Sequence, residues 1–162
     1  NRLIANLNKK QNMAQTEIKL KIRIPHILVD TRGASPKLLE ALAPGLEHLD
    51  ARVHILGEGA SHLPHVFSAE EALEHADMWV FLGKELPSDF KMIAERGIVP
   101  ILQQGSHKEA SNYLPAKEEG NAFLFQEASE WHVYGSLVRA LENFAFVYDW
   151  KSIKENTQST FS

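Results

Sequence analysis

The sequence predicts an α/β domain built as a three-layer, doubly wound parallel sheet. Short apolar runs alternate with amphipathic segments along most of the chain, which is typical of parallel strands joined by helical crossovers. The runs are apolar nearly throughout, as expected for strands that helices cover on both faces. With 162 residues, 44% of them hydrophobic, the chain is long enough for one such core.

The expected strands and helices follow one another in a regular order. Strands are predicted at five apolar runs: IPHILVD (24 to 30), RVHILG (52 to 57), MWVFLG (78 to 83), IVPILQ (98 to 103) and AFLF (122 to 125). Amphipathic patterns predict helices at residues 36 to 48, 68 to 76, 88 to 96 and about 129 to 146. Ligands bind outside the carboxyl ends of the strands in such sheets, so the segments that follow the strands form the candidate site.

Local signals predict where the helices begin and end. Ser35 can cap the first helix, and Pro44 is expected to bend or end it after about two turns. Ser68 and Glu71 have the spacing of a capping box. Gly97 is expected at the carboxyl cap of the third helix.

Composition argues against several classes of function. The formal net charge of -4 and the pI near 6.1 argue against a nucleic-acid partner, because phosphate backbones are bound by clustered Lys and Arg. The absence of cysteine excludes disulfides, thiolate catalysis and Cys-ligated zinc. No apolar run approaches the roughly 18 residues that span a bilayer, and the first residues lack the apolar core of a signal peptide. We therefore expect a cytoplasmic protein without a transmembrane segment.

The chain is expected to contain one domain, from residue 24 to residue 157. Residues 1 to 23 are expected to be an extension or linker and residues 158 to 162 a tail, and the polar segment from Ser152 onward is expected to fray. Met13 follows a polar, Asn-rich start, so an upstream or vector-derived origin of the first twelve residues stays open.

Small and charged residues follow the first predicted strand. Arg32 and Lys37 flank Gly33, Ala34 and Ser35 directly before a helix. Small residues let the backbone approach a ligand, a helix amino end favours an anion, and two cations can neutralise a diphosphate. The pattern is neither GxGxxG nor a P-loop, so a solvated turn with a capped helix is the alternative interpretation.

Two further loops end at the same edge of the predicted sheet. Glu85 lies in GKELPS, where its carboxylate can accept hydrogen bonds from sugar hydroxyls. QQGSHKE supplies Gly105, Ser106 and Glu109, and its amides can hold a phosphate or a sugar. With Gly57-Glu58-Gly59-Ala60 after the second strand, four loops end at one edge and predict a binding cleft, although each motif alone is weak.

Histidines are frequent, but their spacing does not predict a metal site. His62 and His65 stand in SHLPH, across a proline-containing loop and without a third ligand nearby in sequence. The pattern also lacks the HExxH spacing of a helical zinc site. We therefore predict no metal.

Together the strand ends resemble the C-terminal, nucleotide-sugar-binding half of a GT-B glycosyltransferase. The family resembled is the retaining group that includes glycogen synthase and many polysaccharide mannosyltransferases. The resemblance covers residues 26 to about 157 in six segments: DTRGASPKLLEALAPGL, RVHILGEG, HADMWVFLGKELPSDFKMIAERGIVPIL, QQGSHKE, EEGNAFLF and YDWKSIKENT. It implies a Rossmann-like domain whose donor substrate is a nucleotide diphosphate sugar and which needs no cofactor.

The resemblance also implies a role for each candidate residue. Arg32 and Lys37 would hold the diphosphate, and Glu85 would orient the donor sugar. The remaining cleft residues would be Gly33, Gly105, Ser106 and Glu109. Hexose transfer would further need an acceptor half, supplied by an N-terminal domain or a partner subunit.

Two alternatives stay open. Met92 occupies the position of the family's second glutamate, which favours a non-catalytic interaction module that keeps the fold. Its partner contact would be apolar surface near Trp131, Phe144 or Phe146. A receiver-like signalling domain shares the alternating pattern, although only Asp30 fits its acidic cluster.

Overall fold

The structure is a computed structural model that describes residues 2, 4 to 6, 8 and 23 to 162. Its strands are β1 (His26–Asp30), β2 (Arg52–Leu56), β3 (His65–Val66), β4 (Met78–Phe81), β5 (Val99–Gln103) and β6 (Phe123–Phe125). Its helices are α1 (Pro36–Glu47), α2 (Ala69–Leu73), α3 (Phe90–Glu95), α4 (Glu130–Phe144) and α5 (Val147–Phe161). All five predicted strands and all four predicted helices are present.

The strands form a single parallel sheet in the order β3-β2-β1-β4-β5-β6. The chain leaves β1 in one direction to build β2 and β3, and in the other to build β4, β5 and β6. The boundary between β1 and β4 is therefore the topological switch point, where doubly wound sheets bind ligands. Without the two-residue edge strand β3, the five remaining strands have the order 2-1-3-4-5 that receiver-like sheets share, so the strand order does not test the receiver-like alternative.

Apolar side chains cover both faces of the sheet, which confirms the predicted three-layer arrangement. Ile27 and Val29 of β1 pack with α1 and α4 on one face, whereas Leu28 packs with α2 and α3 on the other. In β4, Met78 and Val80 belong to the first face, and Trp79 and Phe81 belong to the second. Successive side chains of a strand point to opposite faces, so apolar runs supply both cores.

Helix α5 contributes to both faces and continues to the end of the chain. Trp150 and Ile153 pack on the face of α1 and α4, and Phe161 packs on the face of α2 and α3. The Thr157 hydroxyl lies 2.8 Å from the carbonyl oxygens of both Ile153 and Asn121. The segment from Ser152 onward, expected to fray, is instead helical through Phe161 because buried residues recur at helical spacing.

Pro44 does not end the first helix. Helix α1 continues through it to Glu47, so the expectation that the helix could end there after about two turns is wrong. Leu42, Ala43 and Leu46 are buried around Pro44, so packing offsets the backbone hydrogen bond that the proline cannot donate.

The start of α2 has a variant of the expected capping box. The Ser68 hydroxyl accepts from the backbone N–H of Glu71 at 3.3 Å, as predicted. The Glu71 carboxylate, however, accepts from the N–H of Phe67 rather than from that of Ser68. The short edge strand β3 just before it was not predicted, since two residues carry too little periodicity.

Most of the expected extension, residues 1 to 23, lies outside the described residues. Arg23 is described, and its guanidinium pairs with Asp77 at 2.6 Å. The same group lies 5.3 Å from the centre of the Phe144 ring. Arg23 therefore contacts the folded domain through its side chain.

Candidate functional site

The loops that follow β1, β4 and β5 meet at the carboxyl edge of the sheet, beside the switch point. The three strands are neighbours in the order β1-β4-β5, so the loops that carry Arg32, Glu85 and Gly105 lie side by side. Residues at the start of α3 join them: Asp89 bonds Arg32 on one side, and the Phe90 ring lies 5.8 Å from the His107 ring on the other. The structure thus brings the predicted segments to one edge.

Asp30 is a fully buried carboxylate at the end of β1. It accepts from the Arg32 backbone N–H at 3.1 Å, and Arg32 Nη2 donates to its Oδ2 at 2.7 Å. The indole N–H of Trp79 also donates to Oδ2, at 3.0 Å. A buried charge needs such partners, and Asp30 has them within the domain.

Asp89 occupies the outer side of the Arg32 guanidinium. Arg32 Nη1 donates to Asp89 Oδ2 at 3.1 Å, and Nη2 donates to Oδ1 at 3.0 Å. The hydrogen bond to Asp30, with a further contribution from Asp89, raises the pKa of Arg32 above its ordinary value. The predicted diphosphate ligand Arg32 is therefore half-buried and already held by two carboxylates.

The amino end of α1 is open. A Cβ built on Gly33, whose φ is +74°, has no atom within 4 Å. Ser35 caps the helix without a side-chain hydrogen bond, and the first turn contains no acidic residue. Lys37 is exposed in that turn. Within residues 23 to 162, the N–H groups of Ser35 and Lys37 have no backbone acceptor, so two amides, a helix dipole and a cation meet beside the switch point.

The loop after β5 has an open glycine and a shielded hydroxyl. Gly105 has a φ of +90°, and a Cβ built on it has no atom within 4 Å. Ser106 Oγ is shielded from solvent without a hydrogen-bond partner among the described residues. His107 Nδ1 accepts from the Glu109 N–H at 3.1 Å, and the His107 ring packs edge-on against Phe161 at 5.0 Å. These contacts hold the His107 part of the loop against the domain, whereas Gly105 stays exposed to solvent.

Asn121 braces the far end of this loop, a role that the sequence analysis missed. Its Nδ2 donates to the Glu109 carbonyl at 2.9 Å, and its Oδ1 accepts from the Ser111 N–H at 3.0 Å. The Glu109 side chain itself is exposed. Asn121 lies two residues before β6, and a polar residue beside an apolar run is the signal that could have indicated it.

Glu85 and Met92 differ in exposure. Glu85 is exposed in the loop after β4 and forms no ion pair within residues 23 to 162. Met92, where the resembled family has an acid, packs against the core on the face of α2 and α3. Asp89, which the sequence analysis also missed, is the acid of this segment that reaches the switch point.

The SHLPH histidines bind protein groups. His62 Nε2 contacts the Glu47 carboxylate. The His65 ring nitrogens lie 2.7 Å from the Leu63 carbonyl oxygen and 2.8 Å from that of Gly59. Among the described residues, no group of three or more His, Asp or Glu side chains could hold a metal ion. In the same part of the chain, no helix has the length and apolar character to cross a membrane.

Solved structures share this fold. The catalytic domain of starch synthase IV from Arabidopsis thaliana, bound to ADP and acarbose, matches with a TM-score of 0.64 and 19% identity, over 86% of this chain and 35% of that chain. A glycosyltransferase from Rickettsia africae matches with a TM-score of 0.63 and 12% identity, over 95% of this chain and 48% of that chain.

A further match is the catalytic domain of cholesterol-alpha-glucosyltransferase from Helicobacter pylori. Its TM-score is 0.57 and its identity 14%, over 85% of this chain and 98% of that chain. No family model matches the sequence. This chain spans less than half the length of the first two structures. Its fold is thus a Rossmann-like domain of the kind found in GT-B glycosyltransferases, which confirms the predicted fold and the structural resemblance.

Proposed function

We propose that this chain is the donor-binding domain of a glycosyltransferase. It would bind a nucleotide diphosphate sugar and transfer the hexose when an acceptor half completes the cleft. The observation that carries the proposal is the open amino end of α1, with Gly33 and Lys37 beside the switch point. The fold shared with glycosyltransferases supports the same substrate class.

The diphosphate would lie against the first turn of α1. There the backbone N–H groups of Ser35 and Lys37 can donate to phosphate oxygens, and the Lys37 ammonium can approach them. These groups would also stabilise the negative charge that develops on the departing nucleotide diphosphate during transfer. The donor sugar would extend toward Glu85 and the Gly105 loop, which follow the next two strands.

Arg32 can bind the diphosphate only if its guanidinium gives up hydrogen bonds to Asp89. Its inner side is bound to the buried Asp30, whereas its outer side faces the less buried Asp89. A phosphate would compete with the Asp89 carboxylate for the same two N–H groups. Arg32 would accordingly be a second, weaker contact beside Lys37.

An acceptor half would have to come from outside the described domain. The chain spans 35% and 48% of the two longer glycosyltransferase structures. In addition, two large apolar side chains at the carboxyl edge are exposed to solvent. Phe67 is 96% exposed near the start of α2, and Trp131 is 80% exposed at the start of α4. A second domain or subunit that lies across this edge would cover them.

Calorimetric titration with ADP-, UDP- and GDP-sugars tests the donor role. We expect binding in the millimolar range or better for at least one of them. Lys37→Ala should weaken it about tenfold, since a charge-assisted phosphate contact contributes about 1.4 kcal/mol. Lys117→Ala, at an exposed position before β6, is the matched control and should leave the affinity unchanged. Absence of binding to all three nucleotide sugars would refute the donor role.

The second candidate is an interaction module without catalysis. Arg32 held by two carboxylates and Met92 packed against the core favour it. It predicts that Lys37→Ala leaves the native function intact, whereas Trp131→Ala weakens partner binding. Size-exclusion chromatography with light scattering, with and without candidate partners, distinguishes the two functions.

A further inference from the structure

A cavity of about 1300 Å³ opens where the strands begin, on the side opposite the candidate donor site. Its walls come from the segments that lead into β1 and β2, the end of α4 and one side of α5 from Val147 to Gln158. We call it the amino-edge cavity and define it by Ile24, Arg52, Phe144, Trp150 and Lys154. Ligand pockets commonly measure about 300–1,000 Å³, so the cavity has ample room for a small molecule.

The floor of the amino-edge cavity is apolar. Phe144 and Trp150 form part of it, with their rings edge to face at 5.1 Å. Ile24 and Val147 border the opening and are 52% and 75% exposed. Apolar side chains left in water beside a concave apolar floor are typical of a surface that binds an apolar group.

The rim of the cavity carries more positive than negative charge. Arg52, Lys151 and Lys154 line it and form no ion pair within residues 23 to 162, and the lining carboxylates are Asp50 and Glu155. The fourth lining cation, Arg23, is bound to Asp77 outside the lining. This local excess contrasts with the net charge of -4 for the whole chain. An anionic group is therefore favoured at the rim.

Trp150 has a buried hydrogen-bond donor for which the described residues supply no acceptor. Its side chain lines the cavity and is 6% exposed, and its indole N–H has no hydrogen-bond acceptor among the described residues. An unpaired buried donor costs free energy, so an acceptor brought by a ligand would be stabilising. The nitrogen itself is shielded from solvent, so a ligand atom reaches it only where the cavity wall shifts.

We propose that the amino-edge cavity binds an amphipathic anion, a molecule with one long apolar chain and a phosphate or carboxylate group. The apolar chain lies on the floor formed by Phe144 and Trp150. The anionic group lies at the rim, near Arg52, Lys151 and Lys154. The concave floor suits a single inserted chain better than the flat surface of a membrane. The site does not depend on the donor site at the opposite edge.

Titration of the full chain with dodecyl phosphate, below the concentration at which it forms micelles, tests this site. The readout is the indole N–H resonance of Trp150 in a nitrogen-15 NMR spectrum, assigned by its loss in Trp150→Phe. We expect a saturable change of this resonance. Inorganic phosphate should cause none, and the uncharged dodecyl maltoside should bind at least tenfold more weakly.

Two sets of variants locate the contacts, with calorimetry as the measurement. Lys151→Gln combined with Lys154→Gln should weaken dodecyl phosphate binding about tenfold. Lys91→Gln combined with Lys117→Gln, at exposed positions outside the cavity lining, is the matched control and should have no effect. Trp150→Phe keeps the ring and removes the unpaired donor, so it should leave stability nearly unchanged and weaken binding.

Three outcomes would overturn the proposal. One is an unchanged Trp150 resonance at saturating dodecyl phosphate. Another is equal affinity for dodecyl phosphate and dodecyl maltoside. The third is binding to vesicles of anionic phospholipid without binding to dodecyl phosphate monomers, which would assign this face to a membrane surface.

Discussion

Arg32 and Asp89 meet in two parallel hydrogen bonds across the switch point, from Nη1 to Oδ2 at 3.1 Å and from Nη2 to Oδ1 at 3.0 Å. This bidentate contact joins the loop after β1 to the start of α3. A phosphate binds a guanidinium in the same forked geometry. Asp89 thus occupies the position that the proposed donor's diphosphate would take on Arg32.

Asp89→Asn should strengthen the binding of a nucleotide diphosphate. The amide keeps the shape of the side chain but loses the charge that competes for Arg32, so we expect a gain of about threefold to tenfold in affinity for ADP. Calorimetry measures it, with Asp50→Asn at the opposite edge as the control. An unchanged affinity in Asp89→Asn, alongside weaker binding in Lys37→Ala, would show that the anion does not use Arg32.

Asp30→Asn should destabilise the fold. The substitution removes the buried charge that holds the inner side of Arg32 and accepts from Trp79, and we expect a loss of about 2–4 kcal/mol in unfolding free energy. Urea denaturation followed by circular dichroism provides the value. Asp50→Asn, at an exposed position, should stay within about 0.5 kcal/mol of the original chain. A similarly small effect for Asp30→Asn would contradict the role of this buried network.

Phe161→Ala tests whether the end of α5 is part of the core. Phe161 is buried and packs against the rings of Phe90 and His107, each at 5.0 Å. We expect a loss of about 3 kcal/mol in unfolding free energy, as for other buried phenylalanines. Phe67→Ala removes an exposed ring and should cost less than about 0.5 kcal/mol. Equal effects would mean that the last turn of α5 does not contribute to the core.

His26 should make the domain less stable in mild acid. Burial, as the main cause, lowers the pKa of His26 below 6.5, although the Asp77 carboxylate acts in the opposite direction. The unfolded chain therefore takes up a proton at higher pH than the folded chain does, and unfolding free energy falls as pH drops through 6.5 toward the folded pKa.

NMR titration of the His26 ring should show a midpoint below 6.5. His26→Gln should remove this part of the pH dependence, so the variant gains stability relative to the original chain as pH falls. A difference in unfolding free energy that stays constant between pH 5 and pH 8 would be inconsistent with a lowered pKa.

Periodicity predicts the fold because each strand and helix has its own local pattern. The apolar runs and the caps at Ser68 and Gly97 depend on neighbours in sequence. Composition does not predict the end of α5, because the segment is polar. Ile153, Thr157 and Phe161 nevertheless recur at helical spacing within it. Their burial arises from distant parts of the chain, such as Phe90 and Asn121.

The candidate site is less predictable than the fold. The order of the strands explains why the loops of Arg32, Glu85 and Gly105 reach one edge. The sequence does not indicate that Arg32 is paired, because Asp89 is 57 residues away and caps another helix. Charges that look free in sequence become neutralised by partners that only the tertiary structure brings together.

The central claim is that the open amino end of α1 binds the diphosphate of a nucleotide sugar. Mapping backbone amide shifts by NMR during titration with ADP tests it most directly, since this nucleotide is bound in the starch synthase IV structure. We predict saturable shifts at Gly33, Ala34 and Lys37, with smaller ones at Gly105. Absence of shifts at millimolar ADP, or shifts confined to residues away from the carboxyl edge, would contradict the account.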